Sequence, residues 1–576
     1  MYPISLLCVG AYLGMLAFGL DIVNVVEVRT PSGWVRGYEE NHDGGQMYRF
    51  IKIPYAQPPL GDLRFHKTKP IKEWDGVKGI GAINAPQCPQ IQNPMPGFDN
   101  LENDEDCLYL NIYIPGGISK DRNLSVMVWI HGGGFIVGGA SQYKPQKLVL
   151  GGDVIVVTIN YRLGLFGFLT LHDQLAPGNY GLWDQIEALK WIQKNIAAFG
   201  GNPKSVTIFG ESAGGMSVSL QTLIPSNKGL FQRAISQSGV VSSFSIARKR
   251  EEEKINKLLL ERTGCTGIEG IADILKCLRD VPVENVTKAV SLMEFFTPLN
   301  VTIEIGSMVP TVDGELIKEN LVYHNSWDDD VYRFLRSIDF MSGTLDGEGN
   351  VAYMLMTPQL QEKFQFNISE SLPLRVLCEV VAASFVNKVV GNVPELTHEI
   401  CDFYTTSEGV DQQSNKVCEF YGDSWFVVPS NTMLSIHAKN NDKSNTFQYL
   451  ITKPTPFPFV PTDPPAWYKG AGHGEELHLM FEVTSDHVSK ENLKRHDLAS
   501  VDKLSRDVVT YWTNFAKYGN PNSDSVPDWP SYETTRKRYI ILDTPVTHGE
   551  NLKPGATDLL NKVLSQGRPK SKHDEL

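Results

Sequence analysis

No stripe of basic residues runs through this sequence. Its 53 Lys and Arg are outweighed by 66 Asp and Glu, for a net charge of −13. That sign repels phosphate backbones, so nucleic acid is not an expected partner. No Cys-x-x-Cys pair and no cluster of histidines has the spacing of a zinc site, so no metal is expected. The phosphate-loop pattern Gly-x-x-x-x-Gly-Lys-Ser/Thr is missing as well, which leaves the glycine-rich stretches without a nucleotide reading. No repeat period, low-complexity tract or Ser/Gly linker divides the chain. Residues 20–545 are therefore expected to form one large domain followed by a polar tail, 546–576. At 41% hydrophobic and 21% charged, the 576 residues read as soluble and globular, with enough apolar material for a sizeable core.

The two ends agree on a compartment. An apolar run from Ile4 to Leu20 precedes a small-residue site at Ala17 and Gly19, the pattern of a signal peptide, residues 1–19, cleaved near Gly19. Its length is at the short limit for a membrane span, and no span is expected in the mature chain. His573-Asp574-Glu575-Leu576 closes the sequence with the address that a retrieval receptor reads in the endoplasmic reticulum lumen. Entry there gives meaning to the Asn-x-Ser/Thr sequons at Asn123, Asn285, Asn300 and Asn367. An oxidising lumen also makes disulfides the first reading of the cysteines. The short separations Cys88 to Cys107 and Cys265 to Cys277 suggest two locally closed loops. With Cys8 removed in the signal peptide, Cys378, Cys401 and Cys418 remain, an odd number that leaves at least one thiol free or intermolecular.

Strand, turn and helix alternate along the middle of the chain. VMVWIH (126–131) and VIVVTINY (154–161) are continuous apolar runs without two-fold alternation, as in strands buried on both faces of a parallel sheet. Between 180 and 199, Leu182, Ile186, Leu189 and Ile192 recur at helical spacing before the stop Gly200-Gly201. The strand SVTIF follows, and a second helix opens directly after Ser212. This order predicts a doubly wound α/β sheet, whose ligands sit at the carboxyl ends of the strands.

Ser212 falls at such an end, inside Gly210-Glu211-Ser212-Ala213-Gly214. The pentapeptide alone recurs by chance too often to decide. Its position decides more: a sharp strand-to-helix turn needs small neighbours, lifts the hydroxyl, and aims helix N–H groups at it. A serine nucleophile further requires a base, an acid that orients the base, and donors for the oxyanion. His131-Gly132-Gly133-Gly134, after a buried strand, offers bare backbone N–H groups for the last role.

These motifs and PYAQPPLGDLRF (54–65), EDCLYLNIYIP (105–115), NYRLGLFGF (160–168), the stretch 178–203, AISQSG (234–239) and WTNFAKYGNPN (512–522) resemble the type-B carboxylesterases, α/β hydrolases that include the cholinesterases. The resemblance spans nearly the whole mature chain. It implies Ser212 as nucleophile, His473 in GAGHGEEL as base, and Glu348 in GTLDGEG as acid, with Gly347 standing where that family usually has Asp. Asp346 is the alternative acid and His478 the competing histidine. It further implies that Gly133, Gly134 and Ala213 hold the oxyanion, that Cys88–Cys107 and Cys265–Cys277 are bridges, and that Ser238 supports the acid. A small polar residue at a strand end reads equally well as structural, and Ser238 is not counted as catalytic.

The expected activity is hydrolysis of an apolar carboxylic ester, whether lipid-like, hormone or xenobiotic, through an acyl-enzyme with no cofactor. An acyltransferase or thioesterase would use the same triad, and a binding or adhesion protein the same fold. Cholinesterase activity is not expected, because the segment between Cys88 and Cys107 contains no tryptophan and Phe98 is its sole aromatic residue.

Overall fold

Residues 22–79, 84–90, 102–242, 245–247, 249–290, 308–318, 329–352, 356, 358–456, 464–482 and 493–567 are described in a computed structural model. The leader, Phe98, Asn300 and the last four residues lie outside them. Among the described residues thirteen strands join in one sheet: β1 (Ile22–Thr30), β2 (Gly33–His42), β3 (Gly45–Pro54), β4 (Val77–Lys78), β5 (Tyr109–Pro115), β6 (Leu124–Ile130), β7 (Ile155–Ile159), β8 (Gly201–Glu211), β9 (Arg233–Gln237), β10 (Asp339–Leu345), β11 (Thr446–Ile451), β12 (Arg538–Leu542) and β13 (Thr547–Glu550). Their order is β1-β2-β3-β5-β7-β6-β8-β9-β10-β11-β12-β13, with β4 added beside β2. From β7 to β12 every pairing is parallel, and both flanks are antiparallel apart from the short β4, which runs parallel to β2.

The two apolar runs form β6 and β7 at the centre. On β6, Val126, Val128 and Ile130 enter one hydrophobic cluster, while Met127 and Trp129 enter another on the opposite face. The same split divides Ile155, Val157 and Ile159 from Val156 on β7. Two-sided burial is why these strands are apolar at every position but Ser125 and Thr158.

Six helices bear on the site: α1 (Tyr180–Asn195), α2 (Ala213–Gln221), α3 (Val410–Gly422), α4 (Val428–Ala438), α5 (Leu498–Tyr518) and α6 (Pro554–Gln566). Leu182, Ile186, Leu189 and Ile192 are all buried on α1. Part of its polar side is covered too. Asp184 is fully buried and takes a two-pronged contact from Arg162, Nε at 2.7 Å and Nη2 at 2.8 Å. Gln185 donates to Ser217 on α2. Arg162 and Ser217 thus cover part of the polar side of an amphipathic helix, while Lys190 and Lys194 stay exposed.

Residues past 545, expected as a tail, continue the fold and correct that boundary. β13 pairs antiparallel with β12, and α6 buries Ala556, Leu559, Leu560 and Val563. That three- and four-residue spacing holds α6 against the body of the protein. Disulfides join Cys88 to Cys107, Cys265 to Cys277 and Cys378 to Cys401, which among the described residues leaves Cys418 as a free, buried thiol. Among the described residues no helix is long and apolar enough to cross a membrane.

Candidate active site

Ser212 sits between the last residue of β8 and the first of α2 with φ 55° and ψ −123°. A non-glycine residue held there costs on the order of 1–3 kcal/mol of backbone strain. Its neighbours explain why the turn survives. A Cβ on Gly214 would lie 2.0 Å from the Ile130 carbonyl, and one on Gly210 2.5 Å from the same oxygen. Both glycines therefore let the turn press against the end of β6. The Ser212 N–H donates to the Gln237 carbonyl at 2.9 Å, and Trp512 of α5 donates its indole N–H to the Gln237 side chain at 3.1 Å. From residue 205 to 224, Ser212 is the one residue that is not buried.

The glycine loop after β6 supplies the facing wall. A Cβ on Gly132 would come 3.1 Å from the Ser212 Cβ, and one on Gly133, at φ 104°, 2.1 Å from the Val137 carbonyl. Gly133 and Gly134 are part-exposed within a buried stretch. Among the described residues neither N–H has an acceptor. Ala213 is the first residue of α2, where a helix leaves its N–H groups unpaired. His131 is buried, which pushes its imidazole down to about 4, and it stacks on Tyr161 at 4.4 Å.

Two loops 125 residues apart in sequence bring the remaining groups together. His473 Nδ1 lies 2.7 Å from Glu348 Oε2, and both side chains are buried. Glu348 Oε1 accepts the Leu345 N–H at 2.8 Å, and the His473 N–H donates to Asn350 at 2.9 Å. Gly347 and Gly472 pair as a parallel bridge that binds acid loop to base loop. Asp346, the alternative acid, instead accepts the Ala471 N–H at 2.8 Å. His478 lies in the short helical turn after the base loop, where its carbonyl accepts from Lys147. The Gly347 departure has a steric cause: a Cβ there would sit 2.1 Å from the Tyr468 phenol oxygen, which itself donates to the Gly347 carbonyl.

Two carboxylates escaped the sequence reading. Glu211, inside the quoted pentapeptide, is fully buried with Oε1 3.2 Å from His473 Nε2. Burial pushes its carboxyl up to about 7, the imidazole opposes this, and Glu348 adds to it. Glu476, also fully buried, accepts from Gln237 and Ser238 at 3.4 Å. Burial, then Glu211 and Glu348, hold it well above the usual carboxylate range. Ser238 thus touches Glu476 rather than Glu348. Burial alone would push the His473 imidazole down, but Glu211, Glu348 and Glu476 together outweigh it and lift it to about 9.

A parallel sheet that carries a strained serine on a strand-to-helix turn, beside a glycine loop and a buried His–Glu pair, defines an α/β hydrolase. The chain belongs to the carboxylesterase family, which it matches over residues 24–559. It is 32% identical to carboxylesterase 1C of Mus musculus, with 91% of this chain and 90% of that protein covered. It is 34% identical to liver carboxylesterase 1 of Oryctolagus cuniculus, covering 88% and 87%. Identity to the medium-chain fatty acyl-CoA hydrolase precursor of Anas platyrhynchos is 30%, covering 96% and 95%. The family makes this protein a carboxylic-ester hydrolase.

Proposed function

We propose that Ser212, His473 and Glu348 carry out this hydrolysis through an acyl-enzyme. Ser212 Oγ attacks the ester carbonyl as its proton passes to His473, and the imidazolium returns that proton to the departing alcohol. Water, deprotonated by the same imidazole, then releases the acid and restores the serine. Glu348 holds the imidazole tautomer through Nδ1, and the N–H groups of Gly133, Gly134 and Ala213 receive the oxyanion. The observation that carries this reading is the exposure of Ser212 alone within a buried stretch, on the turn that the glycine loop faces. Apolar esters suit a site where Phe135 and Ile136 flank the glycines and Phe426 covers the imidazole.

The proposed compartment is the endoplasmic reticulum lumen, with retrieval by a receptor that reads the last four residues. Asn123, Asn285 and Asn367 are exposed, as glycan acceptors must be. Ser212→Ala is expected to lower p-nitrophenyl butyrate turnover by about 10³ or more and abolish organophosphate labelling, with folding intact. Undiminished turnover in that variant would overturn the assignment.

A further inference from the structure

Both ring nitrogens of His473 face carboxylates, Glu348 at Nδ1 and Glu211 at Nε2. The ring faces are left to other contacts. Phe426, itself 2% exposed, lies on one of them with ring centroids 4.5 Å apart and planes inclined by 28°. An aromatic face within about 6 Å of a cation attracts it through the ring quadrupole, most strongly where water is excluded. The base acts in its neutral form and becomes a cation when the reaction places a proton on it.

Local backbone geometry aims Phe426. It belongs to a π-helical turn, Asp423–Val427, inserted between α3 and α4. Such a turn holds one more residue than an α turn, so it redirects the side chains within it, and such bulges recur at functional sites. Asp423 anchors its start, accepting from the Tyr404 phenol at 2.9 Å and pairing with Lys553 at 2.8 Å. The preceding Gly422 abuts the acid: a Cβ there would lie 3.2 Å from the Glu348 Cβ. One bulged helix therefore contacts both the acid and the base.

We propose that Phe426 is a positioning residue for ester hydrolysis: its ring face keeps the His473 imidazole in line with its two carboxylates and stabilises the imidazolium formed when serine or water gives up a proton. This inference rests on His473 being the base. Among the described residues, the charged groups that act on the imidazole include Glu211 from β8, Glu348 from the acid loop and Glu476 from its own loop. Asp423 on the π turn is engaged by Tyr404 and Lys553.

The test is kcat and kcat/KM against pH for p-nitrophenyl butyrate in the full chain. Phe426→Leu keeps the face apolar but removes the quadrupole. Its kcat is expected to fall about fivefold or more, its KM to stay within about twofold, and the acidic limb of kcat/KM to move down by roughly half a pH unit. Mono-, di- and trifluorinated phenylalanine at 426, which drain the ring face at nearly constant volume, are expected to give graded shifts in the same direction. An unmoved or upward limb across the fluorinated series overturns the inference, whether or not Phe426→Leu folds. His473→Gln separates the two failures. Retained turnover there defeats the base assignment itself, whereas lost turnover with an unmoved fluorinated series defeats only the role of Phe426.

Discussion

Glu211→Gln removes a charge beside the base while keeping its shape. With Oε1 3.2 Å from Nε2, a full unit charge at an effective dielectric of about 20 is worth roughly 5 kcal/mol to the imidazolium. The working value is smaller, because losing Glu211 also frees Glu476, whose carboxyl it holds up, to ionise and take over part of the role. A drop of about 1–2 pH units in the apparent titration of the base is the consistent expectation, roughly 1.4–2.7 kcal/mol. The sign follows from the charge. Losing a nearby anion makes the imidazolium less stable, so His473 sheds its proton at lower pH. In the wild type, the acidic limb of kcat/KM should lie above the ordinary histidine value of 6.5, since the three carboxylates hold His473 up. In Glu211→Gln the limb should shift down, and plateau kcat should fall about tenfold, because the same anion no longer stabilises the imidazolium of the transition state. A pH-independent signal, such as titrimetric acid release, measures both. An unmoved limb would refute the reasoning, since it would mean that Glu211 is already neutral when His473 titrates.

Two further substitutions probe the frame. Gly347→Asp restores the residue usual in the family, yet its Cβ would collide with the Tyr468 phenol and come 2.6 Å from the Ala471 carbonyl. kcat/KM should fall at least about tenfold as the acid and base loops part, with partial recovery in the double variant that adds Tyr468→Phe; full activity in the single variant would refute the steric account. Asp184→Asn leaves the buried Arg162 guanidinium without its counter-charge, and should cost about 3–5 kcal/mol in denaturant unfolding. A change within experimental error would show that the hydrogen bonds from Arg162 to His66 and Thr68 suffice.

The sequence announced the centre of the sheet because burial on both faces leaves a local trace, continuous apolar runs at β6 and β7. Ser212 was equally visible, since the strand, the glycines and the following helix are contiguous. Glu348 and His473 are different. Nothing local joins residues 125 apart, and only the resemblance to a family brought them together before the fold did. Glu211 was in plain view but silent, because its role depends on where the His473 loop lands. Phe426 leaves no periodic signature, since a π turn interrupts the helical period that would have announced it. The Cys378–Cys401 bridge was open for the same reason: three cysteines of comparable spacing are sorted only once the helices carrying them have packed. α6 does carry its period in Ala556, Leu559, Leu560 and Val563, but the polar terminus that follows masks it.

Three buried carboxylates around one imidazole raise the question of which one orients it, and hydrogen bonding separates them. Both oxygens of Glu348 are directed, one by the Leu345 N–H at 2.8 Å and the other by His473 Nδ1 at 2.7 Å. A carboxylate held at both oxygens fixes the tautomer and plane of the ring it accepts from. Neither oxygen of Glu211 has a hydrogen-bond partner among the described residues, so its link to His473 is a charge at a distance rather than a direction. Glu476 is tied back to Gln237 and Ser238, on the strand whose end also receives the Ser212 N–H. Geometry is thus supplied by Glu348, and field by Glu211 and Glu476. Removing geometry should cost the larger share of turnover at every pH, whereas removing field should lower the plateau less and also move the pH at which turnover begins.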